Sequence, residues 1–131
     1  MTTTYQIRPY QEQDFPAIQR LNAAEGWNQL VRLHERTQLA WQHSNAALVV
    51  EHTGEVIGYV RGMTDTQVTL YICELLIEAD FRGQGLAQQL FARLHDWYPT
   101  TRIEVLASSS SESFYRGQAF RPFYGFRKSF E

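Results

Sequence analysis

The 131-residue sequence predicts a single α/β domain built on a mixed, mostly antiparallel central sheet flanked by helices. Three observations predict this fold class. Thr53-Gly54 lies between two strand patterns and is typical of a two-residue hairpin turn. A glycine-bearing turn at 82–87 joins a strand pattern to a strongly amphipathic helix, which is typical of a helical crossover between strands. A hydrophobic fraction of 44% in a chain of this length supplies one core, so we expect one domain over residues 1–131.

The first part of the chain predicts a short strand followed by two helices. Residues 5–8 alternate in character as a strand does. Asp14 is a candidate N-cap with Pro16 in the first helical turn, and Gly26 suits the C-terminal end of that helix. Apolar residues at helical spacing over 30–41 then predict a second helix.

The middle of the chain predicts three strands and then a helix. Residues 46–51 and 56–60 flank the hairpin turn, and residues 67–77 form a long strand pattern. The helix that follows the glycine turn shows an apolar stripe at Leu86, Leu90, Leu94 and Trp97. Pro99 is expected to help end this helix.

The last part of the chain predicts a strand, a short helix and an aromatic C-terminal segment. Residues 103–107 read as a buried strand, and Ser111 is a candidate cap for a short helix carrying Phe114 and Tyr115. The aromatic residues of 120–130, with Pro122 and Gly125 between them, predict one or two short strands.

Charge and composition argue against several function classes. The net charge is −2 and no basic run is present, so we expect no nucleic-acid partner. Cys73, the single cysteine, allows no intrachain disulfide and suits a small buried hydrophobe better than a nucleophile. The four histidines show no metal-ligand spacing, so we expect no metal. No apolar run is long enough for a bilayer and residues 1–10 lack a signal-peptide core, so we expect a cytoplasmic protein with no membrane partner.

The turn Arg82-Gly83-Gln84-Gly85-Leu86-Ala87 carries the strongest chemical signal. The first backbone N–H groups of a helix have no partner within the helix, and they lie at the positive end of its dipole. A glycine there lets a ligand approach the backbone because it has no Cβ. The turn therefore predicts a phosphate or pyrophosphate site.

Four features of the sequence match one family. Arg82, Gly85 and Ala87 fill the pattern of Arg or Gln, two residues, Gly, one residue, then Gly or Ala. Residues 74–77 precede this motif as a strand, residues 104–106 follow it as another, and Phe114-Tyr115 comes later. In these features and in the order of its elements the chain resembles the GNAT superfamily of N-acetyltransferases. The resemblance implies that acetyl-CoA donates an acetyl group to a primary amine.

The resemblance also implies how acetyl-CoA is bound. Backbone N–H groups after the strand would hold the diphosphate, and the free edge of the strand would pair with the pantetheine arm as an added strand does. A serine run stands where relatives often have an asparagine, and Ser109 is its nearest member to that position. The implied binding residues are Leu75, Leu76, Ile77, Arg82, Gly83, Gln84, Gly85, Leu86, Ala87, Gln88 and Ser109.

Three residues are candidates for catalysis. Glu74 lies in an otherwise apolar strand and Glu104 on the next strand, and each matches an acidic position of the family. Either carboxylate suits a general base that takes the proton of the attacking amine, directly or through a water. Tyr115 matches the general acid of the family, since a neutral phenol donates to the departing thiolate.

Two other functions remain open at this point. A non-catalytic module that binds acyl-CoA as a sensor would use the same turn and strand edge. A different nucleotide-binding fold is less favoured, because the chain lacks the Lys-Ser or Lys-Thr pair of a P-loop and the third glycine of a dinucleotide site. The acceptor is a small-molecule or peptide amine, with Trp27, Trp41, Phe123 and Tyr124 as candidates to line its site. The chain is expected to be a monomer or a homodimer.

Overall fold

A computed structural model describes residues 4–130. Its five strands are β1 Gln6–Pro9, β2 Ala46–His52, β3 Glu55–Thr64, β4 Thr69–Ile77 and β5 Arg102–Val105. Its five α-helices are α1 Phe15–Glu25, α2 Asn28–Arg32, α3 His34–Gln42, α4 Leu86–Trp97 and α5 Glu112–Gly117. Short 3-10 turns at Glu12–Asp14 and Ala79–Phe81 precede α1 and the glycine turn.

The strands form one mixed sheet in the order β1-β2-β3-β4-β5. The first four strands are antiparallel, and β5 alone pairs in parallel, with β4. The hairpin between β2 and β3 turns at Thr53 and Gly54, which have φ values of 49° and 83°. Positive φ at both central residues matches the twist of a two-residue hairpin, so the fold class and this turn are confirmed.

Helices cover both faces of the sheet. On one face, α4 packs Leu86, Leu90 and Leu94 into a core with alternate residues of the strands. On the other face, α1 and α3 supply a second core that includes Phe15, Ile18, Leu21, Trp41 and Tyr59. Trp97, predicted on the same stripe as Leu94, is 38% exposed at the end of α4, so that part of the prediction is wrong.

The predicted second helix is two helices. Leu33 has φ −90° and ψ 56°, outside the helical region, and separates α2 from α3. The carbonyl of Leu30 accepts hydrogen bonds from the side chains of Gln19 and Thr37, which holds the break against α1 and α3. The helical spacing over 30–41 is satisfied on both sides of this break, and for that reason the pattern did not reveal it.

Asp14 precedes α1, but its side chain does not cap that helix. The carboxylate instead accepts hydrogen bonds from both terminal nitrogens of Arg8, at 2.8 and 2.9 Å, and from the backbone N–H of Gln11. Burial acts to raise the pKa of Asp14, but these hydrogen bonds and the charge of Arg8 outweigh it and lower the pKa. Asp14 thus joins β1 to the start of α1.

We expect Asp14→Asn to lower the free energy of unfolding by about 2 kcal/mol at neutral pH, since charge-assisted hydrogen bonds are lost. A carboxyl whose pKa is lower in the folded state stabilises the fold above its unfolded pKa of about 3.9 and loses that contribution as pH falls below it. Urea titrations at pH 7 and near pH 3 should therefore show a gap between variant and wild type that narrows on acidification. A gap of equal size at both pH values would contradict this assignment.

The prediction of strands in the C-terminal segment is wrong. Residues 118–130 contain no strand, and α5 is the last regular element of the described chain. The aromatic pattern and its turn residues favour strands, but a strand forms only where a neighbouring edge pairs with it. Ser111 likewise does not cap α5, since its hydroxyl accepts the N–H of Ser108 instead.

Candidate active site

The strands β4 and β5 separate partway along β4, beside one edge of the sheet. Their pairing ends at Ile72 and Val105, whereas β4 continues to Ile77. At this point the register of β4 with β3 shifts, because Arg61 faces Glu74 while Gly62 faces Ile72, and Cys73 is left as a bulged residue. Beyond the bulge, the edge of β4 that faces away from β3 has no strand partner in the described chain.

The predicted strand edge therefore exists, and it offers backbone groups only. Leu76 is buried in the core under α1, and Leu75 and Ile77 pack into the core under α4. Their side chains are thus committed to the two cores on either face. What remains at this edge is main-chain hydrogen-bonding capacity, which suits an amide-bearing arm.

The glycine loop, residues 82–88, has the backbone conformation that its sequence predicts. Gly83 and Gly85 have φ values of 79° and 77°, in the left-handed region that favours glycine. Gly85 stands at the N-cap position of α4, and no side chain caps the helix there. A Cβ on either glycine would meet no atom within 4 Å, so both glycines are needed for their dihedral angles and not for lack of space.

Six consecutive N–H groups of this loop, those of residues 83–88, donate to no atom in the part of the chain that the structure describes. The first N–H with a partner is that of Gln89, which bonds to the carbonyl of Gly85 at 3.1 Å. Such a run of free donors at a helix N-terminus attracts an anion with several oxygens.

Two side chains of the loop hold it in place. The guanidinium of Arg82 donates to the carbonyl of Ile77 at 2.8 Å and pairs with Glu25 at the end of α1. The amide oxygen of Gln84 accepts a hydrogen bond from the hydroxyl of Tyr5. Arg82 is therefore placed to position the loop against β4 and α1, while the backbone of the loop faces outward.

Glu74 forms a two-point ion pair with Arg61, with both N–O distances at 2.7 Å. The two side chains are only 16% and 14% exposed, and Arg61 also donates to the hydroxyl of Ser44 at 3.1 Å. Burial acts to lower the pKa of Arg61, but the hydrogen bond and charge of Glu74 outweigh it and raise the pKa. Glu74 is thus a carboxylate of fixed orientation beside the point where the strands separate.

Glu104 lies in a different environment. It is 48% exposed on β5, and one of its oxygens accepts a hydrogen bond from Arg102 at 3.0 Å. Tyr71 of β4 is opposite it in the ladder. Glu104 therefore remains accessible to solvent.

Tyr115 extends from α5 into an aromatic group. The centres of the Phe114, Phe120 and Phe91 rings lie 5.0, 5.4 and 6.4 Å from that of Tyr115. Burial raises the pKa of Tyr115, so its phenol is neutral at pH 7 and retains its proton for donation.

An open cleft of about 1650 Å³ brings several predicted residues together. It lies beside α4 and β5, with α5 and part of the C-terminal segment along its other side, and we call it the β5 cleft. Gln88, Glu104, Ser109 and Tyr115 line it, whereas Glu74 and residues 75–77 do not. The predicted site thus has two parts, the β4 edge with Glu74 and the β5 cleft with Tyr115, and Gln88 of the glycine loop reaches the second.

Several functional candidates had no signal in the sequence. Arg61 holds Glu74 and also donates to Ser44, while Glu25 and Tyr5 hold the glycine loop. Each of these pairs is far apart in sequence and meets only through strand register or helix packing. Cys73 is half-buried, and desolvation raises the pKa of its thiol, which disfavours the reactive thiolate.

Two absences were observed in residues 4–130. Within this range, no group of three or more histidine, cysteine or carboxylate side chains is arranged to hold a metal ion. None of the helices there is both long and apolar enough to cross a bilayer.

The sequence and the fold were compared with those of known proteins. A curated relative, the L-2,4-diaminobutyric acid acetyltransferase of Vibrio parahaemolyticus, is 27% identical over 71 residues. That match spans 53% of this chain and 39% of the relative. The structure of a GNAT family acetyltransferase from Streptococcus pneumoniae superposes with a TM-score of 0.78 at 16% identity, covering 98% of both chains.

A further structural neighbour was solved with ligands. It is the diaminobutyrate acetyltransferase of Paenibacillus lautus in complex with L-2,4-diaminobutyric acid and coenzyme A. Its TM-score is 0.71 at 18% identity, over 88% of this chain and 72% of that one. A model of the acetyltransferase (GNAT) family matches residues 5–120, which include the whole sheet, the glycine loop and Tyr115. The chain belongs to the GNAT acetyltransferase family.

Proposed function

We propose that the protein transfers an acetyl group from acetyl-CoA to a primary amine by direct attack of the amine on the thioester. The observation that carries this proposal is the run of six unpartnered N–H groups at 83–88 beside the free edge of β4. The free donors fit a diphosphate, and the strand edge fits an amide-bearing arm that leads away from it. Coenzyme A has both features in that order.

The proposed reaction needs one proton acceptor and one proton donor. The amine nitrogen forms a bond to the carbonyl carbon, its proton passes to a base, and the carbon–sulfur bond then breaks. Tyr115 donates its proton to the departing thiolate, for which its half-buried, neutral phenol is suited. Glu74 accepts the proton of the amine through a water, since each of its oxygens keeps a second lone pair beside the one that Arg61 occupies.

The two glutamates, Glu74 and Glu104, are assigned different roles. We assign the base to Glu74 because it lies at the separation of the strands and Arg61 fixes its orientation. Glu104 is exposed and paired with Arg102, so we assign it to the polar wall of the β5 cleft. Ser109 lines the same cleft as Gln88 and is proposed to contact acetyl-CoA there.

The acceptor is a small-molecule or peptide amine. The relative and the structural neighbour described above act on diaminobutyric acid by name, so a diamino acid is one member of the test panel.

Cys73 is a free thiol, which suits the reducing cytoplasm that we propose as the compartment of this protein.

The loop can be tested with Gly85→Ala. An alanine at a φ of 77° costs about 1 kcal/mol of backbone strain and turns neighbouring N–H groups away from their common focus. We expect the affinity for acetyl-CoA, measured by calorimetry, to fall about 10- to 100-fold, since a hydrogen bond to a charged group contributes about 1.5 to 3 kcal/mol.

Gly54→Ala is the matched control for that variant. Gly54 has a φ of 83° and equally open space around its Cβ position, but it lies in the hairpin between β2 and β3. It should lose similar stability and bind acetyl-CoA as the wild type does. If the two variants bind acetyl-CoA with equal affinity, the glycine loop does not bind the diphosphate.

Enzyme and sensor are separated by thiol release. The wild type is mixed with acetyl-CoA and a panel of amines, including a diamino acid, a polyamine, an aminoglycoside and a peptide, and free thiol is measured. Amine-dependent release is the expected result. Binding of acetyl-CoA without release across the panel would favour a non-catalytic sensor.

A further inference from the structure

Lys128 is the single lysine of this chain. Of the twelve basic residues, the other eleven are arginines. Lysine is ordinarily among the commonest residues of soluble proteins, so its restriction to one position is unusual. Arginine does not accept an acetyl group at neutral pH because its guanidinium keeps its proton, whereas a lysine amine can lose a proton and attack a carbonyl. Lys128 therefore carries the one side-chain primary amine in the sequence.

This amine lies in the C-terminal tail, residues 118–130, which follows the last helix and forms no strand. From Arg121 onward, no residue of the tail makes a hydrogen bond to another residue within the described range 4–130. Lys128 is exposed, and its Nζ lies 5.7 Å from the centre of the Phe130 ring without an ion pair to any described carboxylate. A segment with so few contacts changes position without unfolding the rest of the domain.

The tail is anchored beside Tyr115. Phe120 is its last hydrogen-bonded residue in the described chain, since its N–H donates to the carbonyl of Tyr115 at 3.1 Å and the two ring centres are 5.4 Å apart. Farther along the tail, Arg127 lines the β5 cleft, as Tyr115 does, although Lys128 itself does not. The tail thus runs along the cleft that contains the proposed acid and carries the amine to the margin of that cleft.

The length of the tail lets the amine reach Tyr115. Lys128 is eight residues beyond Phe120, and an extended chain of that length spans at most about 26 Å. Because Phe120 contacts Tyr115, the whole β5 cleft lies within this radius. A short flexible tether gives the amine an effective concentration on the order of millimolar at the cleft.

We propose that Lys128 is acetylated by its own chain, so that the tail amine is an intramolecular acceptor of the acetyl group. This modification rests on the proposed function, because it needs acetyl-CoA bound with its thioester near Tyr115. The ammonium of Lys128 first loses a proton to solvent. The neutral nitrogen then forms a bond to the carbonyl carbon and gives a proton to the base, while the carbon–sulfur bond breaks and Tyr115 protonates the thiolate. The products are an uncharged acetyl-lysine and the free thiol of coenzyme A.

The experiment follows the mass of the intact protein in acetyl-CoA without added amine. The wild type should gain one acetyl group, peptide mapping should locate it at Lys128, and an equal amount of thiol should be released. The first-order rate constant should not change over a range of micromolar protein concentrations, because the acceptor belongs to the same chain. Tyr115→Phe should slow this gain by the same factor, about 100- to 10,000-fold, by which it slows transfer to the amine panel.

A matched variant moves the lysine to another exposed position. Lys128→Arg/Glu55→Lys keeps one lysine per chain but places it at the start of β3, in a hairpin that does not line the β5 cleft. This lysine should be acetylated at least about 100-fold more slowly, since the tail no longer raises its local concentration. Lys128→Arg alone should gain no side-chain acetyl group and should still release thiol with the amine panel.

Failure of this modification is distinguishable from failure of the proposed function. If panel amines are acetylated while Lys128 stays unmodified, the enzyme stands and the tail site is rejected. Equal rates at positions 128 and 55 would indicate spontaneous acetylation, and a rate constant that rises with protein concentration would place the acceptor in another molecule. Either result would overturn the proposal. If neither Lys128 nor any panel amine is acetylated, the proposed function fails as well.

Discussion

Tyr115→Phe should lower kcat about 100- to 10,000-fold and leave the affinity for acetyl-CoA almost unchanged. The substitution removes one oxygen and keeps the ring, which packs among Phe91, Phe114 and Phe120. The expected fall in kcat is the usual contribution of a general acid, because only water could protonate the leaving thiolate in the variant. Steady-state kinetics and calorimetry on the same preparation separate the two quantities.

A second tyrosine provides the control. Tyr10 stacks on Trp41, and its buried hydroxyl has no hydrogen-bond partner in the described chain. Burial first, and then the charges of Glu12 and Asp14, raise its pKa to about 12. Tyr10→Phe removes the same atom from a similarly aromatic setting outside both the β4 edge and the β5 cleft, so its kcat should equal that of the wild type. Equal kcat values for both variants would exclude Tyr115 as the acid.

The pH dependence adds an independent check. Because burial raises the pKa of Tyr115, its phenol stays protonated beyond the ordinary tyrosine value of about 10. We therefore expect kcat to show no alkaline decline from loss of this proton below about pH 10. A decline near pH 8 that disappears in Tyr115→Phe would contradict the direction of this shift.

The parts of the fold that sequence predicted well are those fixed by local chemistry. A two-residue turn with positive φ and a helix start with glycine at a left-handed position are determined by a few adjacent residues, as at Gly54 and Gly85. The amphipathic stripe of α4 is likewise local, and its first three members are buried as expected. The position of the glycine loop between β4 and α4 followed from these signals.

The parts that sequence missed depend on distant partners. Asp14 has the residue type of a cap, but Arg8 on β1 competes for its carboxylate. The tail has the composition of a strand, but no edge of the same molecule pairs with it. The ion pair of Glu74 with Arg61 follows from the register of β3 with β4, shifted by the bulge at Cys73, which a single sequence does not display.

That ion pair makes Glu74→Gln the second substitution with a large expected effect. The variant keeps the shape of the side chain and one hydrogen-bond acceptor for Arg61, but it cannot accept a proton. If Glu74 is the general base, kcat should fall about 100- to 10,000-fold while acetyl-CoA binds as before. Glu104→Gln, on the neighbouring strand, should show a much smaller loss, because Glu104 is exposed and we assign it to the wall of the β5 cleft. A larger fall in kcat in Glu104→Gln than in Glu74→Gln would indicate that Glu104 is the general base.

A purely structural role of Glu74 must also be tested, because its pair with Arg61 is mostly buried. Removing either partner of such a pair costs up to about 3 kcal/mol of stability, since the other charge loses its counterion. Arg61→Met removes the same ion pair but leaves the carboxylate, so it is the matched variant for Glu74→Gln. Chemical denaturation should show comparable losses of stability in the two, whereas turnover should fall much further in Glu74→Gln, because Arg61→Met keeps the carboxylate and loses only its fixed orientation. If both variants lose turnover in proportion to stability, Glu74 holds the strands at their point of separation and takes no proton from the amine.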